Sequence, residues 1–218
     1  MKDIFKAIYE NNYWGSSESR SGTGSSLEQT SHLKSQLEKL LPEFEMRSIL
    51  DIPCGDFHWM KDFALLDQIE YIGGDIVNEI IDSNIEHYAS KNINFQVMDI
   101  TQDSLPSCDL ILIRDCLVHF NFDKIEETFD NLKNQDYKYA LITSFTERPS
   151  NLDLRQVGEW RPLNLLKPPF TLPEPLKVIN ENCSEGNGAF DDKSMCLWRK
   201  EDLDNLIFNK ITSFDLGI

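Results

Sequence analysis

The chain lacks most of the features that would assign it at a glance. Its five cysteines (Cys54, Cys108, Cys116, Cys183, Cys196) include no C-x-x-C pair and are odd in number. That argues against a disulfide framework or a zinc site and predicts buried thiols in a reducing, cytoplasmic setting. The most apolar stretch, 110–120, is far too short to span a bilayer and carries Arg114 and Asp115. Met1-Lys2-Asp3-Ile4-Phe5-Lys6 has an early acid and no apolar region behind it, so no secretory signal is expected. Bases are scarce: 21 Lys and Arg stand against 37 Asp and Glu, a net charge of −16. They are scattered, so phosphate backbones are repelled and nucleic acid is not an expected partner. Neither G-x-G-x-x-G after the first strand nor G-x-x-x-x-G-K-[S/T] occurs, which counts against dinucleotides and nucleoside triphosphates.

What is present is an alternation. Ile49-Leu50 ends at Asp51, the run 69–74 ends at Asp75, and 93–98 ends at Asp99. The run 109–113 ends at Arg114-Asp115, and 137–145 is a fifth. Helix-like segments fall at 57–66, 77–90 and 122–133, which predicts a parallel sheet covered on both faces. Two late strands, 176–180 and 194–198, are separated by turn formers and predict an antiparallel edge strand. The expected fold class is thus α/β: a Rossmann-like, seven-stranded, mostly parallel sheet with an antiparallel last strand.

Two segments stand apart from this alternation. Residues 13–26 have linker composition, yet they contain Tyr13, Trp14, Glu18 and Arg20, as a loop closing over a ligand would. Before them, 2–10 reads as an amphipathic helix. After them, Ser26 and Gln29 read as a capping box for a helix with Leu27, Leu33, Leu37, Leu40 and Leu41 on one stripe, up to Pro42. Residues 146–176 hold six prolines and little periodicity, the pattern of a binding loop. The expected division is therefore 1–46, two helices and a lid loop, and 47–218, a catalytic domain with a substrate loop at 146–176.

Three acids at successive strand ends, 24 residues apart each time, line one rim of such a sheet. Asp75, at the second strand end, is placed to accept ribose hydroxyls, and Asp99 to meet an adenine amino group. The turn Pro53-Cys54-Gly55-Asp56 would take the polar tail of the ligand. With ribose and adenine indicated and phosphate motifs missing, S-adenosyl-L-methionine fits better than NAD.

The quoted motifs resemble class I S-adenosylmethionine-dependent methyltransferases. Leu50-Asp51-Ile52-Pro53-Cys54-Gly55 matches their first motif, Ile72-Gly73-Gly74-Asp75-Ile76 the second acidic strand end and Val97-Met98-Asp99-Ile100 the third. The segment 114–120 resembles the stretch after strand four. Pro53 and Phe57 stand where the usual first motif has glycine, so the turn must be shaped differently. More narrowly, Tyr13-Trp14-Gly15, the 53–59 stretch with Trp59, 114–119 and 158–164 are similar to a small, mainly bacterial subfamily placed with sugar and surface-polysaccharide modification.

The resemblance implies cofactor contacts from Trp14, Asp51, Pro53, Cys54, Gly55, Asp56, Trp59, Asp75, Ile76, Asp99, Ile100 and Arg114. His119 is the expected general base, with Asp115 orienting it or serving as base itself. Tyr13, Glu18, Arg20, Glu159, Trp160 and Arg161 are the expected acceptor contacts, Arg161 toward a diphosphate of an activated sugar. Asp191, Asp192, Glu181 and Glu185 lack metal-ligand spacing, and no metal is expected. The expected function is O-methylation of a small polar acceptor by a monomer or homodimer. Methylation of another metabolite at N or O, or cofactor binding without turnover, are the alternatives.

Overall fold

The computed structural model describes residues 1–206 and 208. The elements run α1 (Lys2–Glu10), α2 (Leu27–Glu43), β1 (Ser48–Asp51), β2 (Glu70–Asp75), α3 (Asn78–Tyr88), β3 (Ile93–Val97), β4 (Cys108–Ile113), α4 (Phe122–Leu132), β5 (Tyr137–Phe145), β6 (Lys177–Asn180), β7 (Lys193–Arg199) and α5 (Lys200–Asp204). One sheet joins all seven strands in the order β3-β2-β1-β4-β5-β7-β6. β1 to β5 pair in parallel, and β7 runs antiparallel to both β5 and β6.

Period-2 alternation sorts the strand side chains onto two faces. Ile49, Leu110, Leu112, Leu141, Met195 and Leu197 join one core with the α2 leucines. Leu50, Ile111, Ile113, Ile142, Cys196 and Trp198 join the other with α4. Both faces are dry, so the central strands read as unbroken apolar runs. All five cysteines are free and buried.

Four expectations need correction. Residues 57–66 form a chain of tight turns instead of a helix. Phe57 sits at φ 58, outside helical backbone, and its ring packs 5.1 Å from Tyr71 and Phe95. The apolar spacing there reflects core contact, which a turn can satisfy as well as a helix. The antiparallel strand is not an edge: β7 is inserted between β5 and β6, and β6 takes the rim. The capping box is half formed. Ser26 accepts from the Gln29 amide, but the Gln29 side chain reaches Ser184 instead of turning back. Finally, α2 continues through Pro42 to Glu43, and Leu27 is exposed rather than part of its buried stripe.

Candidate active site

In a parallel sheet all strand C-termini share one rim, and the cleft opens there. β1 delivers Asp51, β2 delivers Asp75, and the segment after β4 delivers Arg114, Asp115 and His119. The turn after β1 is tied on both sides. Cys54 donates its amide to Gly74, and Asn84 of α3 donates to the Gly55 carbonyl at 2.8 Å. Gly55 is left-handed at φ 54, and a Cβ there would lie 2.1 Å from Ser21 Oγ, so only glycine lets the 13–26 segment approach this turn.

The cleft encloses about 980 Å³, part of it open to solvent. Of the expected cofactor residues, Trp14, Asp51, Pro53, Cys54, Gly55, Trp59, Asp75, Ile76, Asp99, Ile100 and Arg114 line it. Asp56 does not. Its carboxylate accepts from Ser19 Oγ (2.9 Å), the Arg20 amide (2.7 Å) and Ser21 Oγ (3.1 Å), and so pins the 13–26 segment across the cleft mouth. That segment is ordered by these bonds despite its linker composition. Glu18 reinforces it, accepting from the Leu27 amide at 2.8 Å and lying 2.9 Å from His58 Nε2.

Two buried acids dominate the electrostatics of the cleft. Burial pushes Asp51 up to about 7, against the opposing hydrogen bond from Tyr71 (2.6 Å) and the field of Arg114. Burial likewise lifts Asp75 to about 6, although it accepts from the Val77 amide at 2.9 Å and the Gly55 amide at 3.3 Å. Each Asp75 oxygen keeps a lone pair for a further donor. Asp99 is more committed, accepting from the Thr101 amide and hydroxyl and from Gln102. The opposite wall is apolar: Ile76, Val77, Ile80, Met98, Ile100 and Phe120. A ligand with hydroxyls, a cationic tail and a flat apolar base fits these walls, as S-adenosylmethionine does.

A second cavity adjoins the first, and Trp14, Ser21, Asp115 and His119 line both. Its other walls include Phe145, Trp160, Phe190, Glu185 and Lys193. Asp115 sits at φ 51, a left-handed conformation costly for a residue with a side chain. Its amide is held by Thr143 Oγ1 at 2.8 Å, and its carboxylate lies 2.6 Å from Lys193 Nζ and 3.4 Å from Arg114. Burial opposes its ionisation, but Lys193 and then Arg114 overcome this and hold the carboxyl below its ordinary value. Arg114 is paired with Glu181 at 2.6 Å, both side chains buried.

Burial lowers His119 below the usual imidazole range. Its Nδ1 lies 3.0 Å from the Glu159 carbonyl, which can only accept, so the proton belongs on Nδ1 and Nε2 is left unprotonated. Trp14 stacks on the ring at 4.9 Å.

The expected acceptor contacts divide. Arg20 lines the first cavity and Trp160 the second. Tyr13 is 77% exposed and lines neither. Glu18 is occupied as described, and the Glu159 carboxylate caps the Arg155 and Gln156 amides. Arg161 is buried and donates to the carbonyls of Leu117, Phe120 and Leu152. It braces the loop with three of its five N–H donors and lines neither cavity, so it does not reach a diphosphate there. Sequence reasoning missed Phe145, Glu185, Phe190 and Lys193 in the second cavity. Lys193 left one signal: a cation opening a strand whose centre, Met195 to Trp198, is apolar.

Residues 49–135 match the family described as "Methyltransferase domain". No curated protein matches the chain. Among solved structures, the fold is similar to the N-methyltransferase NodS from Bradyrhizobium japonicum WM9, with TM-score 0.57 and 16% identity over 78% of this chain and 96% of that one. It is also similar to human N-acetylserotonin methyltransferase, crystallised with S-adenosylmethionine, with TM-score 0.56 and 16% identity over 90% of this chain and 59% of that one. This chain therefore spans well under two thirds of the human protein. Among the described residues no helix is long and apolar enough to cross a membrane. The strand-end acids, the turn without phosphate-binding glycines and the match of 49–135 to a methyltransferase domain fall in one place, and the protein is a methyltransferase that uses S-adenosylmethionine.

Proposed function

We propose that the protein methylates a hydroxyl of a small polar acceptor, a sugar of a bacterial surface-polysaccharide pathway, in the cytoplasm. The observation that carries this reading is the placing of His119 and Asp115 where the two cavities meet. Bound S-adenosylmethionine supplies a methyl group activated by its sulfonium. The protein's own work is then alignment, exclusion of water and removal of one proton. An alcohol holds its proton too tightly to react well, so a base that accepts it during transfer lowers the barrier. Nε2 of His119 is unprotonated near neutral pH and takes that role; Asp115 binds a neighbouring hydroxyl. Trp14, Phe145, Trp160 and Phe190 offer apolar surface to the faces of a sugar ring. In this reading residues 1–46 cap the unit 47–218, and the 146–176 loop contributes Trp160 to acceptor selection. The position of Arg161, buried against the carbonyls of Leu117, Phe120 and Leu152 and outside both cavities, favours a free or glycosidic sugar over a nucleotide-activated one.

The test is incubation with S-adenosylmethionine and a panel of sugars and sugar derivatives, followed by mass spectrometry. The expected result is a gain of one CH2 on a hydroxyl of one sugar class. Methylation confined to nitrogen, or to acceptors without a sugar ring, would replace this reading with another small-molecule methyltransferase.

A further inference from the structure

The second cavity has a charge balance that the sugar reading leaves unexplained. Two carboxylates, Asp115 and Glu185, and one ammonium, Lys193, line it. Lys193 is committed, 2.6 Å from Asp115 and 3.6 Å from Glu181. Glu181 is in turn paired with Arg114. These two cations and two anions cancel. Glu185 is left over. It accepts from the Thr23 hydroxyl and lies 3.8 Å from the Cys183 thiol. Among the described residues it has no ion pair.

The surplus anion faces the same space as the catalytic pair. A Cβ on Gly24 would lie 3.3 Å from Asp115 Oδ2, 3.4 Å from Glu185 Oε2 and 3.5 Å from Lys193 Nζ, so these groups converge on one point. The rest of the wall is aromatic, with the rings of Trp160 and Phe190 4.9 Å apart and Phe145 5.9 Å from Trp160. A carboxylate without a counter-ion beside π faces attracts a cation and repels an anion. The chain's net charge of −16 steers ligands the same way.

We infer that the acceptor carries an ammonium group, held by Glu185 against the aromatic wall while its reacting hydroxyl meets His119. This rests on the cavity being the acceptor site, and binding alone can test it. The protein saturated with S-adenosylhomocysteine is titrated with cyclohexylamine, cyclohexanol and cyclohexanecarboxylate, and the total tryptophan fluorescence, to which Trp14 and Trp160 of the cavity wall contribute, is followed. The amine should bind about tenfold tighter than the alcohol, and the carboxylate weakest, as one added ion pair in a partly dry site implies. In E185Q, still loaded with S-adenosylhomocysteine, the amine should lose its advantage over the alcohol. Equal binding of amine and alcohol, tighter binding of the carboxylate, or an amine preference that survives E185Q would each overturn the inference. If sugars fail as substrates while the amine preference holds, the sugar reading falls and the charge reading stands.

Discussion

The two cavities that meet at His119 are built in opposite ways. The first cavity, the proposed cofactor cleft, is assembled from the ends of neighbouring parallel strands, so each main residue is placed by its own strand and following turn. The second cavity, the proposed acceptor site, is assembled from 14–24, 115–119, 145, 160 and 183–193, segments distant in sequence, the last of them brought beside β5 by the insertion of β7. Local patterning therefore describes the first and says little about the second. Where evolution can vary loops without disturbing strands, specificity is free to change while the donor site stays.

The sharpest way to break this comparison lies at the junction. His119→Ala should lower methyl transfer by about 10²–10⁴, the usual weight of a general base, with S-adenosylhomocysteine affinity within a few-fold of the parent. Steady-state kinetics beside calorimetry would check it. An equal loss in both would make His119 a packing residue shared by the cavities, since Trp14 stacks on it. The pH profile sharpens the same point. With the imidazole lowered by burial, turnover should rise with an apparent pKa below the ordinary histidine value, and that limb should vanish in the variant.

Next in size is Asp75→Ala, which acts on the cofactor side alone. It removes a hydroxyl acceptor and orphans the Gly55 and Val77 amides, each worth about 1–3 kcal/mol when buried without a partner. S-adenosylhomocysteine affinity should fall by about two decades or more in calorimetry. Preservation of parent affinity would place the ribose elsewhere.

Asp56→Ala should have a smaller effect, felt on both sides. It takes away the carboxylate that accepts from three donors of the 13–26 segment, which walls both cavities. Net worth of about 1 kcal/mol or somewhat more per charge-assisted bond predicts roughly tenfold faster S-adenosylhomocysteine release by stopped-flow fluorescence. An unchanged off-rate would show that the segment does not limit exchange.

The smallest effect is a drift with pH. Asp51 and Asp75 have raised values in the folded protein, so their contribution to stability is fully present below the unfolded value near 4 and is lost as pH rises through about 6 and 7. The melting temperature of the ligand-free protein should therefore fall across this window, and Asp51→Asn should flatten the upper part of the fall. Cofactor affinity should move oppositely as the carboxylates ionise toward a cationic ligand. A melting temperature that rose through this window by the same amount in parent and Asp51→Asn would contradict the assignment.

The legible part of the site is the part whose chemistry is written in short range. Asp51, Asp75 and Gly55 could be placed from a strand end and a turn. The 57–66 segment could not, because a core-facing string of apolar residues has the same spacing whether turns or a helix present it. Phe57 at positive φ decides the matter, and nothing in the residue type announces that. Arg161 illustrates the converse. A basic residue beside a tryptophan in a proline-rich loop suggests an anion site, yet the carbonyls it serves belong to 117, 120 and 152 and become neighbours only on folding.

The sequence by itself determined the α/β alternation, the acids on the sheet rim and the lack of phosphate-binding turns, because strand period and turn chemistry act over a few residues. Tertiary structure alone decided that β7 runs inside the sheet, that Asp56 serves the covering segment, and that Lys193 and Glu181 neutralise the charges around Asp115. Those outcomes depend on long-range pairing and burial. An ion's worth in a protein is set by how much water is removed and which counter-charges arrive from other segments.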